Sequence, residues 1–325
     1  MSRFSARIAT LEDAAAWQRV WARSERHAAL HWRWAELAAL AVGTPVRLVV
    51  TDAGGEVVAA AAFVERRRRF LLEWRHPAPL PFAGVLCDPE RRNDSFLQDV
   101  FSAIAVASEH LSPAAELILQ PNMQDARGLL WAGWDAKPHY NFTSRIDAED
   151  SLERAAENAA RRQGQKARAG GLKLEESAAL LPEILQLWKA TRERHKIPAW
   201  VSDDCFQALA ALPEDMAAGG IAMHIFGVRA PDGPLQSGAV VLRDSQRAYY
   251  LLGGSAETEE GAGSGAPTLL QFELTAALFR KYGPFLYDWV GANTPSVAQF
   301  KKKFRPELEF SFRCNWRSGK ARWLR

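Results

Sequence analysis

The order of predicted elements runs twice along the chain, and this repetition limits the fold more than any single motif does. In each half, helices lead into a hairpin and a third strand, then a loop, a helix, a short strand, a short helix and a final strand. The first copy opens with a helix over residues 10–24, where Leu11, Ala14, Ala15, Trp17, Val20 and Trp21 recur near every 3.6 residues behind Thr10, Glu12 and Asp13 as cap and first-turn acids. A second helix follows through HAALHWRWAELAALA. Strands at 45–51 and 57–64 flank a turn at residues 52–55, and a third strand follows at 69–74. A helix at 94–108, a strand at 115–119, a short helix at 125–131 and a strand at 139–146 complete the copy. The second copy starts with one long polar helix over 151–169, then a strand at 172–176, helices at 181–195 and 203–212, and strands at 221–229, 235–243 and 248–253. A helix at 267–282, a strand at 285–289, a short helix at 296–304 behind Asn293, Thr294 and Pro295, and a strand at 308–316 end it.

Two such series each need a sheet in which to bury their apolar faces, so the expected fold class is α/β, with α+β mixed sheets in two tandem units. The units are assigned to residues 1–147 and 148–325, meeting near 146–153. A length of 325 residues suits two domains. Charge does not point to a partner, because 41 basic and 38 acidic residues leave a net charge of +3, so any phosphate-binding surface must be local. Cys87, Cys205 and Cys314 are far apart and odd in number, which fits neither a disulfide framework nor a metal knuckle and suits a reducing cytoplasm. No window approaches the roughly 18 uncharged apolar residues of a membrane span, and the N-terminus has no export-signal core. A cytoplasmic location is expected, which leaves room for peripheral association with a membrane-linked substrate.

Three stretches of the second copy carry chemistry. In the loop from Gly253 to Leu274, Gly261, Gly263 and Gly265 free the backbone to approach a ligand, and the helix starting at Pro267 offers unpaired N–H groups to an anion or carbonyl. The same loop contains G-x-G-x-x-A at Gly261, Gly263 and Ala266. Several polar residues separate it from the preceding strand, whereas a dinucleotide fingerprint closes its turn directly after one. The second stretch is the helix bearing Arg154, Arg161, Arg162, Lys166 and Arg168, a positive stripe whose alternative is a solvated face. Two basic or ligand-like clusters in the first copy read as structure: Arg66–Arg69 as a solvated strand end, and His27 with His31 as a pair lacking a third metal ligand.

The third stretch, YDWVGA followed by VAQFKKKF, resembles the C-terminal signature of the Fem family of peptidyltransferases, within the GNAT-type N-acyltransferase superfamily. Tandem GNAT-like domains are the family's build, so the resemblance agrees with the repeat. It implies direct transfer of an acyl or aminoacyl group from an activated ester or thioester to an amine acceptor, with no permanent cofactor and no metal. The donor stays open between acyl-coenzyme A and aminoacyl-tRNA. By the resemblance, Gly263, Ser264, Gly265, Ala266 and Thr268 hold the donor, although Glu257, Glu259 and Glu260 would repel a pyrophosphate. Arg161, Arg162 and Lys166 lie near substrate, with Tyr249 and Phe300 beside them. Lys301, the lysine of the Phe-Lys-x-x-Phe pattern closed by Phe304, is placed to stabilise an oxyanion. Asp288 either accepts a proton or caps the next turn, and of Tyr249 and Tyr250, which alternate on a strand, one faces the cleft as a positioning group or an acid, Tyr250 being the candidate. A tRNA- or RNA-binding module without catalysis, and an inert scaffold, are the competing readings.

Overall fold

The structure is a computed structural model that describes residues 3–194, 201–256 and 265–319. The chain divides into two compact units, one formed by Met1–His139 with Phe310–Arg325 and one by Tyr140–Glu309.

In chain order the first unit holds β1 (Ser5–Ile8), α1 (Ala14–Arg23), α2 (Trp34–Ala39), β2 (Thr44–Thr51), β3 (Val57–Arg68), β4 (Leu71–Arg75), β5 (Leu86–Cys87), α3 (Asp94–Leu111), β6 (Ala114–Ile118) and α4 (Arg127–Trp131). β1 to β4 form an antiparallel series. β4 then meets β6 in parallel through the single pair Trp74↔Ala115. β3 begins VVAAAAFV and is buried on both faces. One face packs Ala59, Ala61 and Phe63 into the core with α3, and the other lies under α1 and α2, so an unbroken apolar run replaces the usual alternation.

The chain continues with β7 (Asp135–Ile146), which enters the second unit at Tyr140, then α5 (Ser151–Ala155), α6 (Asn158–Ala169), β8 (Lys173–Glu176), α7 (Leu181–Arg194), α8 (Asp203–Ala210), α9 (Glu214–Ala218), β9 (Ala222–Arg229), β10 (Leu235–Arg243), β11 (Arg247–Ser255), α10 (Ala266–Tyr282), β12 (Phe285–Asp288), α11 (Pro295–Lys302) and β13 (Glu307–Arg317), which belongs to the first unit from Phe310 on. β8 to β11 are antiparallel. β11 meets β12 in parallel, and β12 pairs antiparallel with residues 143–146 of β7. Both units therefore share one order: four antiparallel strands, a crossover containing a helix, and a parallel fifth strand. The sixth strand differs in origin. Residues 313–317 of β13 pair with β6 in the first unit, from Arg313↔Ile118 to Arg317↔Ala114. The repeat in the sequence does not reveal this exchange, because each copy ends in a strand whatever its partner.

The single helix expected over 151–169 is two. Ala156 and Glu157 are both extended, and the Glu157 amide donates to the Lys303 carbonyl, so a tertiary bond breaks the helix where no Gly or Pro marks it. α6 presents Ala160, Gly164 and Ala167 to α10, and the gap is so narrow that a Cβ on Gly164 would sit 2.7 Å from the Phe272 ring.

Candidate active site

The site is organised by the parting of β11 and β12. Three register pairs join them, Arg247↔Leu286 to Tyr249↔Asp288, after which β12 stops and β11 continues to Ser255. On its other side β11 slips register against β10: Tyr250 faces Val241 and Leu252 faces Val240, leaving Leu251 as the extra residue of a bulge. Among the described residues no strand pairs with the β12-side edge of β11 from Tyr250 to Gly254.

Tyr250 lies along this edge. A Cβ on Gly253 would meet its hydroxyl at 1.6 Å, so only glycine lets the phenol cross the strand. The ring is half-buried beside Tyr287 and Trp289, at 6.5 and 6.3 Å between centroids. Burial raises the Tyr250 pKa, so its proton is retained at neutral pH. Tyr249 points the other way and is buried, donating to Asp244 at 3.1 Å. It holds the turn before β11, which leaves it unable to touch substrate.

Asp288 closes β12 and is fully buried. It accepts from Asn141 Nδ2 and the Val290 amide, both at 2.8 Å, and from Arg247 at 3.1 Å. Burial pushes its pKa up, while Arg247 and Asn141 work against that shift. Arg247 is also gripped in bidentate fashion by Glu309, at 2.7 and 2.9 Å. Of the two roles expected for Asp288, capping the turn has its donors in place, and the carboxylate has no exposure through which to take a proton from an amine.

Lys301, on α11, holds the same turn. It is 3% exposed, and its ammonium donates to three successive carbonyls: Trp289, Val290 at 3.3 Å and Gly291 at 2.9 Å. Val290 and Gly291 have φ of +52° and +94°, and the Gly291 amide donates to Asn141 Oδ1 at 2.6 Å. This left-handed turn is costly for valine, and Lys301 with Asn141 holds it. Burial draws the Lys301 pKa down to about 7, against the opposing charge of Asp288. The expectation that Lys301 supplies a free cation to an oxyanion is corrected here: its three N–H bonds are spent on the turn. Phe300, half-buried, meets Phe304 edge-to-face at 5.4 Å and helps seat α11.

Of the expected donor-binding residues, Gly263 and Ser264 lie outside the described residues. Gly265 has φ of +73°, and a Cβ there would meet the Gln163 carbonyl oxygen at 2.4 Å, so glycine is required twice over. Ala266 and Thr268 are buried where α10 starts against α6, with Thr268 Oγ1 donating to Gln163 at 3.4 Å. On α6, the buried face at 160, 164 and 167 turns Arg162 and Lys166 to solvent, where neither makes an ion pair among the described residues. Arg161 instead bonds Asn158 and the Arg154 carbonyl, and Arg168 bridges Glu153 and Glu273. Sequence reasoning missed Asn141 and Arg247. Asn141 is 147 residues from Asp288, so no local signal tied them.

Residues 154–302 match the family described as Acetyltransferase (GNAT) domain. No curated protein sequence matches the chain. Among solved structures, FemX superposes with a TM-score of 0.69 at 16% identity, over 98% of this chain and 99% of its own. A tandem GNAT protein from the clavulanic acid biosynthesis pathway gives 0.52 at 17% identity, over 96% and 97%. Saccharomyces cerevisiae N-myristoyltransferase with bound myristoyl-CoA gives 0.51 at 11% identity, over 96% and 83%. At these identities the likenesses establish a shared fold.

Proposed function

From the premise that the chain carries a GNAT-type acetyltransferase domain, we propose that it moves an acyl or aminoacyl group from an activated ester or thioester directly onto an amine, at the parting of β11 and β12. The observation that carries this reading is the edge of β11 from Tyr250 onward, which no strand among the described residues pairs, with its bulge at Leu251. A donor laid along that edge pairs its amides or carbonyls with the strand, and a backbone N–H there serves the oxyanion that develops on the acyl carbon. The neutral amine attacks, the C–N bond forms and the bond to sulfur or oxygen breaks; the nitrogen's surplus proton passes to solvent water, and the leaving group takes a proton in its place. Tyr250, protonated and on the edge, is the acid in reach. Lys301, Asn141 and Asp288 act as positioning residues that hold the turn after β12.

The donor is acyl-coenzyme A or an aminoacyl-tRNA, and the turn into α10 at Gly265 is where its phosphate-bearing part would enter. No described helix is long and apolar enough to cross a membrane. The purified chain is to be incubated with radiolabelled acetyl-coenzyme A in one arm and charged tRNA in the other, each with a panel of amines, and the amide product weighed by mass spectrometry. Product in either arm supports the reading. Donor binding without product in both arms favours the second reading, an RNA-binding module, for which the exposed Arg162 and Lys166 on α6, without an ion pair among the described residues, are the specific observation. No binding and no product would overturn both.

A further inference from the structure

The β3–β4 hairpin of the first unit turns through RRRRFLL, and acyl transfer makes no use of it. By sequence its arginines read as a solvated strand end, but the tip they surround is apolar. β2 reaches β3 only as far as Thr44↔Glu65, and β6 meets β4 only at Trp74↔Ala115, so residues 66–73 project beyond the sheet as a two-stranded ribbon. Arg69 and Phe70 make its turn, between Arg68 at the end of β3 and Leu71 at the start of β4. Arg69 has a φ of +55°, in the left-handed region that two-residue hairpin turns usually give to Gly, Asn or Asp, and Phe70 is 91% exposed. Two costs to the fold thus meet at one tip. A backbone outlier beside a bare aromatic ring points to a use outside folding.

The tip is apolar at its end and cationic around it. Leu72, 44% exposed, lies opposite Arg67 in register, and the half-buried Leu71 lies opposite Arg68. The side chains of Arg67 and Arg69 are exposed and make no hydrogen bond or ion pair among the described residues. Arg68 approaches Glu73 only to 3.9 Å, too long for a hydrogen bond. The ribbon's acids stand at its base, where Glu73 is buried and Glu65 accepts from Trp74 Nε1 at 3.2 Å. Arg67, Arg68 and Arg69 therefore set a positive field around Phe70 that no acid within residues 66–72 offsets.

The occupant must suit both an apolar end and a cationic collar. A stable protein interface takes roughly 20–30 residues a side, far more than a ribbon tip offers. Single-stranded RNA could stack a base on Phe70, but the exposed aliphatic Leu72 gains nothing from such stacking. A bilayer surface suits both, because apolar side chains enter the acyl boundary while guanidinium groups stay level with the phosphates. We propose that the β3–β4 hairpin docks the protein on an anionic lipid surface, with Phe70 and Leu72 entering the interface and Arg67, Arg68 and Arg69 on the lipid phosphates. This site rests on the first unit alone and stands or falls independently of acyl transfer.

Flotation of the full chain with lipid vesicles tests this. Vesicles of equal parts phosphatidylglycerol and phosphatidylcholine are expected to bind it at least about tenfold more tightly than phosphatidylcholine alone, and to release it as salt rises. Phe70→Ser should weaken that binding about tenfold, and Arg67→Gln with Arg69→Gln about 25-fold, close to fivefold for each cation, with melting temperatures little changed because all three side chains are exposed. Insertion has its own readout. Cys87, Cys205 and Cys314 are buried, so a bimane on Phe70→Cys reports the tip, and its emission should shift to the blue with anionic vesicles and be quenched by lipids brominated along their acyl chains. A single-stranded RNA oligonucleotide, followed by anisotropy, should not distinguish wild type from Phe70→Ser. No flotation with anionic vesicles, equal affinity for charged and neutral ones, Phe70→Ser floating as wild type, an unquenched bimane, or RNA affinity that falls in Phe70→Ser while vesicle binding holds would each overturn the proposal.

Discussion

The two units part their parallel strands in the same place and fill the gap differently. In the first unit β4 ends at Arg75, one residue after its only pair with β6, and the gap beside β6 is occupied by the unit's own backbone: the Ala83 and Gly84 amides donate to the Ile118 carbonyl at 3.2 and 2.8 Å. Gln120 secures that plug, accepting from the Val85 amide at 3.0 Å and donating to the Val85 carbonyl at 2.9 Å. In the second unit β11 outruns β12, and the turn after β12 is pulled aside by Lys301 and Asn141. A repeated fold is thus plugged in one copy and unpaired among the described residues in the other. Our proposal places acyl transfer at the edge that no described strand pairs.

The largest effect should come from the tie that holds the second gap's turn. Lys301→Met leaves three carbonyls without their donor, at a cost of about 1–3 kcal/mol for each that stays buried and unpaired. Stability and turnover are expected to fall together, measured by urea unfolding and by rate, whereas Lys302→Met, at an exposed lysine, should change neither. Loss of turnover with full stability would instead return Lys301 to catalysis. Linkage gives a second readout. The Lys301 pKa is lowered from 10.5 to about 7 on folding, so between these values the unfolded chain binds more protons than the folded one, and stability rises with pH across that window. The penalty is full below about pH 7 and gone above 10.5. In Lys301→Met that part of the slope should vanish, and identical wild-type and mutant slopes would contradict the assignment.

The plug should matter for folding alone. Gln120→Leu strands the Val85 amide and carbonyl, costing about 1–3 kcal/mol for each group left unpaired, yet turnover per folded molecule should match wild type. A matching fall in turnover would mean that the first gap takes part in the chemistry and that the contrast between the units fails.

The element order, the tandem build and the class of reaction were legible because they rest on periodicity and on one local signature. The 3.6-residue spacing around Trp17 and the strand ending in Asp288 are local facts, and both elements stand where expected. What escaped depends on distance or direction. A lysine in Phe-Lys-x-x-Phe reads the same whether its ammonium meets solvent or three carbonyls, and only the turn at Val290 and Gly291 decides. Tyr249 and Tyr250 alternate as a strand requires, but the bulge at Leu251 and the glycine at 253 determine which reaches the edge. The exchange of the sixth strands leaves no mark on either copy.

Smaller effects sharpen the account within the second unit. Tyr250→Phe keeps the ring's packing and removes the acid, so turnover should drop by roughly 10²-fold, the lower end for loss of a general acid, with KM and stability little changed. An unaltered rate would exclude Tyr250 as the proton source. Arg162→Ala with Lys166→Ala is expected to weaken donor binding only a few-fold and to flatten its dependence on salt, because both side chains are solvated and screened. An unchanged salt slope would make the stripe a plain solvated face.

The claim that the unpaired edge of β11 receives the donor is tested most directly by amide NMR of the full chain titrated with acetyl-coenzyme A and, separately, with a 3′-aminoacylamido-adenosine that cannot transfer its acyl group. One of these is predicted to move the amides of Leu251 to Gly254 the most, with smaller shifts at Gly265, and to leave Ala83 to Val85 in the plugged gap unmoved. Saturable shifts confined to the first unit, or none on β11 when donor binds, would contradict it.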